Sequence, residues 1–406
     1  MDELNVDQQR RALDFLVQLK SRSIQSIIFS YRDDMKNSFD NLLACTGYSI
    51  THIDINVQHS PEYFLEHLLI RCPNIESIKH TTGISPGRFF SRTLLSSRRP
   101  SIHQPQQQQQ QQQRLIETNT ETIMDKQQLK RIKLKSLYLK NVTSTQHILN
   151  GDIDIPNIEY ISFFSSSKYQ IKHIKQQGWA HLCYLHFNEL YLAEEGVISL
   201  AAAIPNIPLL ISLVFNNNCY FATQTNELFS AIGNLEHLEE LCIMDKQMNG
   251  RVSFNDNLSS PQIHVNEEGY LALLNGKCRQ TLRKLKLHPI AVLTNRMLAA
   301  IPNNHHHQQY SNGEQQQRLT CIDINQLYKE QSEEQVLTNE GLCAFASTMS
   351  CFKMDFIKIK SGPDSIHMTA LGNNVCRDHY DIEISDTGKW NIYSLVNQPR
   401  KFVKCI

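Results

Sequence analysis

Residues 281–303 read TLRKLKLHPIAVLTNRMLAAIPN, and their period changes halfway. Leu282, Leu285 and Leu287 form L-x-x-L-x-L, closing in the alternation of a half-buried strand. Thr294 is an N-cap type, Met297, Leu298 and Ile301 share one helical face, and Pro302-Asn303 stop the helix. One short strand and one short helix cannot bury both apolar faces alone. The segment therefore predicts a unit that needs copies of itself on either side.

The copies are present. Ile24-Ile27-Phe29, Ile50-Ile53-Ile55, Ile75-Ile78-His80, Leu134-Leu137-Leu139, Ile158-Ile161-Phe163 and Leu182-Leu185-Phe187 share the spacing. Leu210-Leu213-Phe215, Leu238-Leu241-Ile243, Leu319-Ile322-Ile324 and Met354-Ile357-Ile359 continue it beyond and around the first example. Where no insertion intervenes, the starts fall 24 to 28 residues apart. A single such triplet arises readily by chance, whereas eleven in near-register define a repeat. The links are alike as well. SPEYFLEHLLIRCPN (60–74), EEGVISLAAAIPN (194–206), NELFSAIGN (226–234), NEEGYLALLNGKC (266–278) and TNEGLCAFASTMSC (338–351) open on polar or acidic residues and continue with helical apolar spacing. The expected fold class is α/β: a right-handed solenoid, with parallel strands on a concave face and helices on a convex one.

The series resembles leucine-rich-repeat proteins, and most closely the cysteine-containing repeats of F-box/leucine-rich-repeat substrate receptors. The residues that carry the likeness are Thr338-Asn-Glu-Gly-Leu-Cys-Ala-Phe-Ala with Cys351, Asn266-Glu-Glu-Gly-Tyr-Leu-Ala-Leu-Leu with Cys278, and Cys72-Pro73-Asn74. The resemblance implies a non-catalytic scaffold that recognises substrates for a cullin-type ubiquitin ligase through an adaptor. In that family an F-box of about forty residues precedes the repeats, and the 23 residues ahead of Ile24 are too few to hold one. The expectation for residues 1–23 is instead a helical cap built on Ala12, Leu13, Leu16 and Leu19. The alternatives are a GTPase-regulating repeat protein, which the basic Arg400–Lys404 end disfavours, and a receptor remnant without its F-box.

The array is expected to span 24–360, with a disordered insert at about 83–114 that holds Gln106–Gln113. Loops are expected at about 246–265 and 303–318, and a cap with a β-hairpin at 361–406. Lys+Arg and Asp+Glu both total 40, which gives no electrostatic case for nucleic-acid or membrane-surface binding. The uncharged run 197–215 is long enough to suggest a membrane span, but Pro205, Asn206 and Pro208 at its centre predict a helix followed by a buried strand. Eleven scattered cysteines without a C-x-x-C pair point to reduced thiols in the cytoplasm or nucleus.

No catalytic, cofactor or metal motif emerges. His305-His306-His307 are adjacent residues that preset no tetrahedral site. Gly269–Cys278 departs from a phosphate loop in both spacing and final residue. The basic run Lys126–Lys135 could serve nuclear import, and Arg98-Arg99-Pro100-Ser101 could accept phosphate. The binding residues come from the strand positions that alternate with the buried ones: Tyr138, Tyr160, Phe164, Tyr184, His186, Asn188 and Asn216. Further along, Lys286, His288 and Lys358, with Arg283, Lys284 and Lys360, predict a basic stretch for an acidic or phosphorylated protein segment.

Overall fold

A computed structural model describes residues 6–18, 24–32, 35–57, 64–82, 133–140, 144–152, 155–164, 170–171, 173–175, 178–192, 194–216, 225–244, 266–290, 293–303, 319–326, 341, 344–345, 356–361, 367–371, 380–384 and 390–394. The glutamine-rich insert, the loop at 246–265, the loop at 303–318 beyond Asn303, the His305–His307 run, Arg98–Ser101, Lys126–Arg131 and Arg400–Lys404 lie outside these residues. The chain divides into two compact units, 1–161 and 162–406.

Unit 1 alternates helices and strands: α1 (Val6–Gln18), β1 (Ser26–Tyr31), α2 (Lys36–Thr46), β2 (His52–Val57), α3 (Phe64–Arg71), β3 (Ser77–Thr82), β4 (Ser136–Lys140) and α4 (Ser144–Asn150). The next strand, β5 (Tyr160–Phe164), begins in this unit and ends in the other. Strands β1 to β4 are parallel neighbours in chain order, with Ile27, Ile53, Ile78 and Leu137 in one row and Phe29, Ile55, His80 and Leu139 in the next. Each row thus stacks the equivalent member of successive triplets. Helix α2, which no part of the sequence pattern above predicts, buries Phe39, Leu42, Leu43 and Thr46, an i, i+3, i+4, i+7 stripe. In α1, Leu13 is buried, Leu16 half-buried and Ala12 exposed, and Leu19, the fourth residue of the expected cap face, lies outside the described residues. Gly47 ends α2 against the next helix, because a Cβ there would sit 2.2 Å from the Arg71 carbonyl oxygen.

Unit 2 repeats the alternation. Its elements are β6 (Gln170–Ile171), β7 (Tyr184–Asn188), β8 (Tyr191–Leu192), α5 (Glu194–Ala203), β9 (Ser212–Asn216), α6 (Thr225–Gly233), β10 (Glu240–Met244), α7 (Glu267–Asn275), β11 (Lys284–Ile290), α8 (Asn295–Asn303), β12 (Cys321–Gln326) and β13 (Phe356–Ser361). Run 197–215 thus becomes the end of α5, a 3-10 turn at Ile204–Asn206 and strand β9. Strands β7, β9, β10, β11, β12 and β13 are parallel, each hydrogen-bonded to the next. Leu185, Leu213, Leu241, Leu285, Ile322 and Ile357 align in one row. Phe187, Phe215, Ile243, Leu287, Ile324 and Ile359 align in another. The rings of Phe187 and Phe215 stack at 5.2 Å and 11°, as expected of identical positions one strand apart.

The links close as helices for local reasons. Asn266 Oδ1 accepts the Gly269 N–H at 2.9 Å, and Thr294 Oγ1 accepts the Met297 N–H at 3.1 Å, so both helices carry a side-chain N-cap. Cys278 is fully buried after α7, and its thiol lies 3.4 Å from the Leu273 carbonyl oxygen near the helix end. Burial pushes both the Cys278 and Cys72 thiols up to about 12, so both are protonated packing residues. The sheet turns antiparallel where β13 pairs with β14 (His367–Leu371). Farther on, β15 (Tyr380–Ile384) and β16 (Trp390–Ser394) pair antiparallel.

Candidate protein-binding face

Strand pleating sends alternate residues to opposite sides, and the aliphatic rows occupy the side covered by helices. The other side of unit 2 is built from three rows in strand order. The first holds Tyr184, Ser212, Glu240, Lys284 and Cys321, and the second His186, Val214, Cys242, Lys286 and Asp323. The third holds Asn188, Asn216, Met244 and His288. Lys358 stands beside Asp323 in the register with β13.

A hydrogen-bonded chain crosses four of these strands. His186 Nε2 lies 3.3 Å from Ser212 Oγ, Ser212 donates to Glu240 Oε2 at 2.9 Å, and Lys284 Nζ donates to Glu240 Oε1. Burial is the largest influence on Glu240 and raises its pKa. The hydrogen bonds from Lys284 and Ser212 and the Lys284 charge outweigh it, so the carboxyl titrates below its usual range. For Lys284 burial acts downward, and the bond and charge of Glu240 prevail to hold it above the ordinary lysine range. Burial, followed in effect by the opposing attraction of Glu240, leaves His186 below the usual imidazole value. The order of groups matters chemically. Ser212 gives its proton to a carboxylate already held by lysine, with histidine at its other side; in a nucleophilic triad the histidine stands between serine and acid. The chain is a polar brace across the sheet.

Charge pairing extends to the neighbours. Arg283 Nε is 3.7 Å from Glu239 Oε2. His288 Nε2 approaches Asp323 Oδ1 to 2.7 Å without hydrogen-bond alignment. Within the expected basic stretch, Arg283, Lys284 and His288 each lie against a carboxylate. Among the described residues Lys286 makes no ion pair.

The outward positions are also less open than alternation alone predicts. Ser162, Ser212, Cys242 and Asp323 are buried because longer neighbours lie across them. Asn188 Nδ2 reaches Ser162 Oγ at 3.3 Å, and His186 with Glu240 covers Ser212. Tyr184 is the exception, an outward aromatic that keeps 40% of its surface exposed. Phe164, His186, Asn188, Asn216 and, three strands farther on, Lys286 are half-buried. The predicted aromatic run is divided: Tyr138 and Tyr160 belong to unit 1, Phe164 and Tyr184 to unit 2. In unit 1, Tyr138 stands next to Lys79 in the register, and Lys79 is paired with Asp54 at 2.7 Å.

The interstrand pairs escaped the sequence reading although a signal for them exists. Aligning the repeats on their triplets sets Glu239-Glu240 beside Arg283-Lys284, one strand apart. At strand end, Glu189 adopts φ 56, unusual for a residue with a Cβ, and its N–H bonds the Asn216 carbonyl at 2.9 Å. That turn ends β7 and starts the path to β8.

No family model matches the sequence, and no curated protein matches it. The chain is similar to one in the crystal structure of the Rad7 and Elc1 complex in yeast, at 12% identity and a TM-score of 0.31. The similarity covers 91% of this chain and 83% of that one.

Proposed function

We propose that this chain is a leucine-rich-repeat scaffold that binds another protein on the strand face of unit 2 and does no chemistry on it. The observation that carries the reading is the division of labour along the in-register strands. From β7 to β12 the apolar rows are buried, while Tyr184 and Lys286 stand outward on a face pre-braced by His186, Ser212, Glu240 and Lys284. An outward aromatic on β7 and a lysine on β11, three strands along, are residue types that anchor interfaces. A backbone braced by hydrogen bonds loses little freedom on binding.

Within this reading the partner segment is acidic or phosphorylated, which is supported by Lys286 on the strand face of β11 and by the lysines at 358 and 360 in the sequence of β13, two strands along. The task is substrate recognition for a cullin-type ubiquitin ligase, in the cytoplasm or nucleus. That assignment is supported by the repeat resemblance and by the buried, protonated thiols of Cys72 and Cys278. Affinity purification of the full chain, followed by mass spectrometry, tests it. Tyr184→Ala combined with Lys286→Glu is expected to lose the captured protein with an unchanged melting temperature. Recovery of that protein at wild-type yield would remove the assigned face, and absence of ligase subunits from every capture would remove the ligase role.

A further inference from the structure

We infer that β1 is a self-pairing edge, at which two copies of this chain join antiparallel about a two-fold axis through Ile28. The inference concerns unit 1 and stands apart from the proposed binding face.

Among the described residues, strand β1 pairs with one strand, β2. The Gln25 carbonyl accepts the N–H groups of Thr51 and His52 at 2.8 and 3.0 Å, so residues 25, 27, 29 and 31 turn their backbone polar groups toward β2. Ser26, Ile28 and Ser30 therefore turn theirs to the opposite side, and among the described residues no strand pairs with them there. Helix α1, which precedes the strand, packs against α2. Open edges of this kind are usually guarded by charge, proline or a bulge. Ser26–Tyr31 reads SIIFSY and has no charged residue and no proline, and its register with β2 runs without a bulge. Ile28 is 78% exposed, the more unusual because it sits at the middle of this edge.

What selects a second copy as the occupant is self-complementarity. The outward residues spell Ser-x-Ile-x-Ser, which reads the same in both directions. Antiparallel pairing about Ile28 sets Ser26 opposite the other copy's Ser30 and Ile28 opposite its own equivalent, and Ile27 faces Phe29. Every outward backbone group then finds a partner, hydroxyl meets hydroxyl, and the exposed isoleucines cover each other. A two-fold interface needs this kind of self-matching surface, and the lack of charge removes repulsion between copies.

Sedimentation velocity on the full chain over a wide concentration range tests the inference. The wild type should move from one 46.9 kDa chain toward a pair as concentration rises. Ile28→Lys places two ammonium groups across the axis and should weaken the pair by roughly tenfold or more, with the melting temperature held. Ile28→Cys provides the converse reading. Hydrogen-bonded antiparallel partners lie about 5.5 Å apart at Cα, inside disulfide range, so mild oxidation should yield a covalent dimer absent from the wild type. A wild type that stays single at every concentration overturns the proposal. So does a dimer that Ile28→Lys leaves intact and Ile28→Cys fails to cross-link.

Discussion

His80 is the one polar member of the apolar rows that strands β1 to β4 stack in unit 1. It is fully buried between Ile55 and Leu139 in the register, its ring 5.2 Å from that of Phe64, and neither ring nitrogen finds a partner. Burial pushes its pKa down to about 4, from the 6.5 it regains on unfolding. Between those values the unfolded chain binds the proton and the folded chain does not. Stability is therefore complete above about pH 6.5 and falls as the pH drops toward 4, by about 3 kcal/mol in all. His80→Leu removes that dependence. It also removes two buried, unsatisfied nitrogens, so it should raise stability at pH 7 by about 1–3 kcal/mol. Urea denaturation of both proteins at pH 7 and 4.5 checks this; equal acid losses in the two would show that His80 is not the responsible group.

At the scale of the element, each strand separates a packing row from a contact row. Leu185→Ala and Leu241→Ala should each destabilise unit 2 by about 2–5 kcal/mol, since both side chains are wholly buried. Tyr184→Ala should change stability by less than about 1 kcal/mol. Thermal melts of the three variants decide the facing. Helix spacing offers a second check: a Cβ on Gly233 would lie 2.7 Å from the Ala272 carbonyl oxygen, and one on Gly276 would lie 2.2 Å from that of Gly233. Gly276→Ala should therefore force α6 and α7 apart and cost about 1–3 kcal/mol by the same melts. The inward rows were legible in the sequence because the triplet spacing alone sets which side chain faces the helices. The brace from His186 to Lys284 was not, because its members sit 26, 28 and 44 residues apart and meet only through the register between strands. The burial of short outward residues such as Ser212 and Asp323 was not legible for a related reason: a strand pattern shows direction but not which longer neighbour leans over. Helix α2 was overlooked because its apolar stripe lies in a link that shares little sequence with the others.

At the scale of the whole molecule, repeat order is held by pairing between adjacent strands and not by the length of what connects them. Strands β3 and β4 are in direct register, Ile78 beside Leu137 and His80 beside Leu139, although residues 83–135 separate them in the chain. Removing residues 88–118 would shorten the spacing from Ile75 to Leu134 from 59 to 28, the longest value found between uninterrupted repeats. The shorter chain should melt within a few degrees of the full one, because loop-closure entropy changes by only about 0.6 kcal/mol per doubling of length. A loss of cooperative unfolding would show that the removed residues belong to the core.

Direct pairing of β3 with β4 also bears on how such a gene can vary. Replication slippage in the glutamine codons would lengthen or trim the tract between these strands, yet Tyr138 would still stand beside Lys79. Alleles that differ only in glutamine number are thus expected to present the same unit 1 surface to the cell, and selection on that number would have to act through something other than the sheet.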